Sequence, residues 1–96
     1  MQVKILFPAE QDLADGYFFY EGQSHGLGSY FLDSIYSDID ALVYFGGIHS
    51  LIFGYHRALS KRFPYAIYYH IIDDIVSAVL DCRRKPRWIR KKLVTS

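Results

Sequence analysis

The chain has 96 residues, 51% hydrophobic and 22% charged, which suits one folded domain spanning residues 1–96 with a single core and excludes a disordered chain. A single cysteine, Cys82, excludes an internal disulfide and a thiolate zinc motif, and no metal-ligand spacing or cofactor fingerprint is present. The net charge of +1 conceals a division: residues 1–54 hold one base and seven acids, residues 55–96 ten bases and three acids.

VKILF at 3–7 reads as a short strand. Pro8, Glu10 and Asp12 then open a helix, since proline is tolerated in the first turn and acids favour the positive end of the helix dipole. Ala9, Leu13, Tyr17 and Tyr20 continue it at helical spacing to about Gln23. Gly16 inside it costs about 1 kcal/mol relative to alanine, so a closely packed neighbour is expected there. The glycines of SHGLGS suit a reversal. A second helix follows with Leu32, Ile35, Ile39 and Leu42 on its apolar face and Asp33, Ser37 and Asp40 on the wet one.

After Gly46 and Gly47 the pattern changes to β-rich runs at 55–60, 65–72 and 75–82. Pro64 interrupts pairing between the first two runs. Asp73-Asp74 reads as a two-residue hairpin turn with aspartates in the left-handed region. Apolar residues on both faces of the last two runs place at least one of them centrally, covered on one side by the helices. The fold class expected is α+β: an N-terminal strand and helical hairpin on a mainly antiparallel sheet, in the order strand, helix, helix and three strands, with a short basic C-terminal helix or tail. No apolar run approaches the roughly 18 residues of a membrane span. MQVKILF is too short for a signal peptide, and the expected location is the cytoplasm.

Seven of the ten positions from Arg83 to Lys92 are Arg or Lys, beside the only tryptophan, Trp88. Such a run serves either as a solvated helix balancing the acidic half or as a surface for an anionic partner. Pro86 can open a short helix there, with Trp88, Ile89 and Leu93 available to pack; Trp88 either clips this segment to the core or anchors a partner. A second candidate lies on the strands. His56, His70, Tyr55, Tyr68 and Tyr69 beside Arg57, Lys61 and Arg62 contain the residue types of a phosphate-cleaving site, although alternation puts His70 on the face of Tyr68 and opposite Tyr69. His25 and His49 fall in connections, where capping or solvation accounts for them.

The segments GLGSYFLDSI, RALSKRFPYAIYY and VLDCRRKPRWIRKKL resemble the RelE/ParE superfamily of toxins from type II toxin–antitoxin systems, in particular its ParE-like branch. The resemblance runs from about Ala9 to Leu93 and is most specific at Arg57, Lys61-Arg62, FPY at 63–65, Tyr68-Tyr69 and Arg83-Arg84 followed by Pro86 and Trp88. It implies a bacterial protein that inhibits DNA gyrase, and so replication, by binding. Arg83, Arg84, Arg87, Trp88 and Arg90 would contact the target. It also implies a hetero-oligomer with a cognate antitoxin whose flexible, acidic and apolar C-terminal segment meets Arg57, Lys61, Arg62, Tyr68 and Arg83, and which makes most of any DNA contact. Members similar to RelE instead cut messenger RNA in the ribosome; on that alternative Arg57, Lys61, Arg62 and His70 would be the catalytic set. Against it, residues 82–96 hold no His, Tyr, Asp or Glu to move a proton. A third alternative is a degenerate toxin acting only as antitoxin partner and co-repressor. No cofactor and no membrane partner are expected.

Overall fold

A computed structural model describes residues 3–94. Strand β1 (Lys4–Ile5) leads into helix α1 (Phe7–Gln23), which turns back as α2 (Leu27–Asp40) and a four-residue α3 (Leu42–Phe45). Strands β2 (Leu51–Ile52), β3 (Tyr55–Leu59), β4 (Tyr65–His70) and β5 (Ile75–Asp81) follow, and α4 (Pro86–Val94) closes the chain. The sheet order is β1-β5-β4-β3-β2, with β1 parallel to β5 and the other pairs antiparallel. The expected α+β class and helical hairpin are present, together with a short strand, β2, outside the expected strands.

Helix α1 begins at Phe7 with Pro8 in its first turn. It buries Ala9, Leu13, Gly16 and Tyr20, one face of a 3.6-residue repeat. The close neighbour expected at Gly16 is Phe31 of α2: a Cβ on Gly16 would lie 2.6 Å from the Phe31 ring. Gly28 is packed as tightly, for a Cβ there would meet the Tyr17 carbonyl oxygen at 2.7 Å. Two glycines on facing helices therefore set how close the hairpin can become. Its turn is fastened by Glu21, whose carboxylate accepts the amides of Gly26 (3.0 Å) and Gly28 (2.9 Å) at the start of α2. Those donors have no partner within their own helix, and bonding to them holds the Glu21 carboxyl below its ordinary value.

The hairpin covers one face of the sheet. Phe31, Ile35 and Ile39 of α2 join Leu13 and Tyr20 of α1 against Tyr65, Ile67, Tyr69, Val76 and Val79. The other face carries Ala66, Tyr68, Ala78 and Leu80, and α4 covers it with Ile89 and Leu93. Tyr55 adds a hydrogen bond from its hydroxyl to the Leu93 carbonyl (3.2 Å). The sheet is thus buried on two sides rather than on the one side expected from the strand pattern; β4 is buried from Tyr65 through Tyr69.

Two connections differ from expectation. The link between β4 and β5 runs through four residues, Ile71–Asp74, as a single 3-10 turn, so Ile71 and Ile72 leave the strand and stand 50% and 79% exposed. Asp73 and Asp74 do take positive φ, 65° and 52°. Phe53 and Gly54, at φ 52° and 85°, make the tight turn that pairs β2 with β3. The β4–β5 register also shifts between Tyr68 and Tyr69, leaving Ser77 as the extra residue of a bulge.

Candidate functional site

The division of charge along the sequence becomes a division between layers. Residues 7–40, the hairpin, hold seven acids and neither Lys nor Arg; residues 83–92, leading into and through α4, hold seven bases and no acid. The sheet lies between them, so the two faces of the molecule carry opposite charge.

The basic layer continues onto one end of the sheet. Cys82 donates its amide to the Pro64 carbonyl (2.8 Å), which sets the β3–β4 turn carrying Lys61 and Arg62 beside the β5–α4 turn carrying Arg83 and Arg84. Arg83 is not a bare charge, for its guanidinium grips Asp81 through Nε (3.0 Å) and Nη2 (2.9 Å). Arg84 lies over the Trp88 ring (4.7 Å to the centroid), and Lys92 approaches the same ring at 5.6 Å. Arg62 lies 5.9 Å from the Tyr30 ring centroid on α2. The Ser60 hydroxyl donates to Asp38 (2.8 Å), which ties this turn to the hairpin. Arg87 and Arg90 are exposed on α4, and Trp88 is half-buried, packed on the core yet open at its rim.

Beside this layer runs a groove along the outer edge of β5. Strand β1 pairs only with Ile75 and Val76, so the rest of that edge is flanked instead by α1 and α4. A cleft of about 310 Å³ is lined by Asp12, Asp15 and Phe19 on one wall and by Arg84, Trp88 and Lys92 on the other. A second cleft of about 260 Å³, near Phe7 and Gln11, shares Asp12, Leu80 and Lys92 with it. Asp12 accepts the outward amide of Val79 (3.0 Å), filling the place of an adjacent strand's carbonyl. Burial pushes its carboxyl up to about 6, against the pull of the Val79 amide and of Lys92. Tyr65, also lining the groove, is pushed up to about 12 by burial and remains a neutral phenol.

The second candidate assembles only in part: Arg57, Tyr55, Tyr68 and His70 share the α4 face of β3 and β4, but Lys61 and Arg62 do not join them. Lys61 and Arg62 are in the turn before β4, whereas His70 is the last residue of that strand, on the order of 17 Å away at the spacing of an extended chain. His70 packs its ring on Tyr55 (4.4 Å between centroids). Arg57 lies opposite Tyr68 on the α4 face, and its hydrogen bond to the Tyr68 hydroxyl counters the rise that burial imposes on that phenol. Tyr68 itself is 1% exposed beneath α4: alternation gives its face but not the helix that covers it. His49 and His56 serve the fold at the other face. Tyr69 accepts the Gly47 amide (2.9 Å) and bonds Nδ1 of His49, while His56 donates to the His49 carbonyl (2.7 Å) and stacks on Tyr69. Burial, and His56 nearby, lower the His49 pKa.

Among the described residues no group of three or more His, Cys, Asp or Glu is placed to hold a metal ion. Burial raises the Cys82 thiol, with Arg57 opposing, so it is not an activated nucleophile. No described helix is long and apolar enough to cross a membrane. The sequence reading missed the groove altogether: Asp12 and Val79 are 67 positions apart, and only the turn of β1 away from β5 leaves the edge for an α1 carboxylate to cap. Neither a protein-family model, nor a curated protein, nor a solved structure matches this chain.

Proposed function

We propose that this protein is the toxin of a type II toxin–antitoxin system, ParE-like, acting in the cytoplasm by binding DNA gyrase rather than by cutting nucleic acid. One observation carries the preference for binding. Lys61, Arg62, Arg83 and Arg84 lie on two adjacent turns at one end of the sheet, next to α4 with its bases and Trp88, while His70, with only Arg57 of the candidate bases beside it, lies toward the opposite end of β4. A phosphate-cleaving site needs its phosphate-holding and proton-moving groups within about 3 Å of the reacting atoms. A binding inhibitor needs only charge and an anchor, and a Trp and Arg cluster is the usual composition of an interface hot spot. Inhibition then follows if the surface favours one gyrase conformation over the others.

Neutralisation falls to an antitoxin with an acidic and apolar segment. Arg57, Lys61, Arg62 and the exposed arginines of α4 offer it charge, and the β5 groove offers Phe19 and Trp88 as apolar footing. A segment that orders as it binds needs such a long mixed surface to offset the lost entropy.

The deciding experiment is DNA supercoiling by purified gyrase with increasing amounts of this chain. Inhibition is expected, weakened at least tenfold by Arg84→Ala/Trp88→Ala. Unimpaired supercoiling at high excess, together with cleavage of messenger RNA on translating ribosomes, would reverse the reading in favour of the nuclease.

A further inference from the structure

A third surface is neither acidic nor basic. Between Asp40 and Arg57 the sequence holds no charged residue, and this stretch carries α3, the loop after it and β2. It is far from buried. Tyr44, Phe45, Ile48, Leu51 and Ile72 are 55–83% exposed, and all are apolar. They share one end of the molecule: the 46–48 loop runs beside Ile71, where a Cβ on Gly47 would lie 3.4 Å from the Ile71 Cγ2, and Tyr69 bonds the Gly47 amide. With Phe53 and Ile71 these side chains offer on the order of 800 Å² of apolar surface, what one partner contributes to a standard interface. A monomer rarely leaves so large a patch open.

The sheet ends here as well. In the ladder to β3 the Arg57 amide donates to the Ser50 carbonyl, so Leu51, the next residue, turns its own amide and carbonyl to the open side. Strand β2 carries no charge or proline to discourage pairing with a further strand.

We infer that this end is a self-association surface, and that its occupant is a second copy of the same chain related by a twofold axis. Charge selects the occupant. A twofold interface sets each patch against itself, so the acidic hairpin face and the basic α4 face each repel their own copy, and only this uncharged end does not. Asp40, Asp73 and Asp74 are left at its rim, where salt would screen their mutual repulsion and strengthen the pair. The inference is independent of the toxin reading, since it uses none of the residues assigned to gyrase or antitoxin.

The test is sedimentation velocity on the full chain over a range of concentration and salt. Expected is a species of twice the 11.2 kDa chain mass that is undiminished at high salt. Tyr44→Asp/Ile72→Asp should reduce it to the monomer with circular dichroism unchanged, because the two side chains are 83% and 79% exposed. Phe18→Asp, on the outer hairpin face, should leave the dimer intact. A monomer throughout, a dimer that survives Tyr44→Asp/Ile72→Asp but not Phe18→Asp, or one that dissociates in salt would each overturn the inference; the last would point to head-to-tail contact between acidic and basic faces.

Discussion

The hairpin brings helices of 17 and 14 residues to one face of the sheet, whereas α4 brings nine to the other. The hairpin is held by shape. Its glycines admit Phe31 and Tyr17, and the rings of Tyr20, Phe31, Phe63 and Tyr65 meet at centroid distances of 4.8–6.2 Å. Helix α4 packs on the sheet through two buried side chains, Ile89 and Leu93, with Trp88 as a ledge and a hydrogen bond from Tyr55 to the Leu93 carbonyl. Seven bases on and before so short a helix repel one another, and little apolar burial offsets that. The comparison assigns stability to the acidic layer and leaves the basic layer as a lightly attached cover whose surface is available for contact.

The strongest test of this contrast is a pair of core truncations. Phe31→Ala should cost about 3–5 kcal/mol and Leu93→Ala about 2–3 kcal/mol in urea unfolding. The manner of loss should differ as well. Trp88, the only tryptophan, sits on α4, so its fluorescence reports that helix alone. In Leu93→Ala the fluorescence should change at lower urea than the far-ultraviolet circular dichroism; in Phe31→Ala the two should coincide. Coincident transitions in Leu93→Ala would make α4 as integral as the hairpin and end the contrast.

A smaller effect sharpens the claim that the hairpin is held by shape. Gly16→Ala gains helix propensity but drives a Cβ into the Phe31 ring, for a net loss of about 1–2 kcal/mol. Gly22→Ala in the same helix meets nothing within 4 Å and should raise stability by up to about 1 kcal/mol. If the two substitutions shift the thermal midpoint equally, packing at Gly16 is looser than its geometry implies.

Much of this was legible in the sequence, and what was not has a common cause. The hairpin announces itself through Leu13, Tyr20, Ile35 and Ile39, because helical periodicity is a local property. Pro86 and the spacing of Ile89 and Leu93 announce α4 in the same way. Strand β2 has two residues, shorter than any period, and exists only because Phe53-Gly54 folds it onto β3. The two-residue turn expected at Asp73-Asp74 was drawn from the apolar character of Ile71 and Ile72, which the chain leaves exposed. The bases of the candidate site were readable from composition. Their grouping was not: a bond between Cys82 and Pro64 sets the turn of Lys61 beside that of Arg83, and Tyr68 disappears beneath a helix that follows it by 18 residues. The Glu21 clasp on Gly26 and Gly28 did leave a local trace, a carboxylate one turn before a glycine reversal.

The seam where the two layers meet gives the smallest effect and the one whose sign is least expected. Asp12 belongs to the acidic layer and feels Lys92 of the basic one, so an ion pair would seem to fasten α4 down. Its carboxyl nevertheless lies near 6, above the ordinary 3.8, because burial outweighs both the Val79 amide and Lys92. The folded state therefore binds the Asp12 proton more tightly than the unfolded state does. Its contribution to stability is fully present below pH 3.8 and is lost as the pH rises through about 6. At pH 7 the cost is about 1–2 kcal/mol once screening of the exposed part of the group is allowed for. Asp12→Asn keeps an oxygen for the Val79 amide and removes the charge. The variant should be about 1 kcal/mol more stable than the wild type at pH 7 and indistinguishable from it near pH 3.5, as measured by urea unfolding at both values. Trp88 fluorescence should show α4 still docked in the variant, since on this account the helix is held by Ile89 and Leu93. A variant less stable at pH 7, with α4 released, would show instead that attraction between the layers fastens the cover.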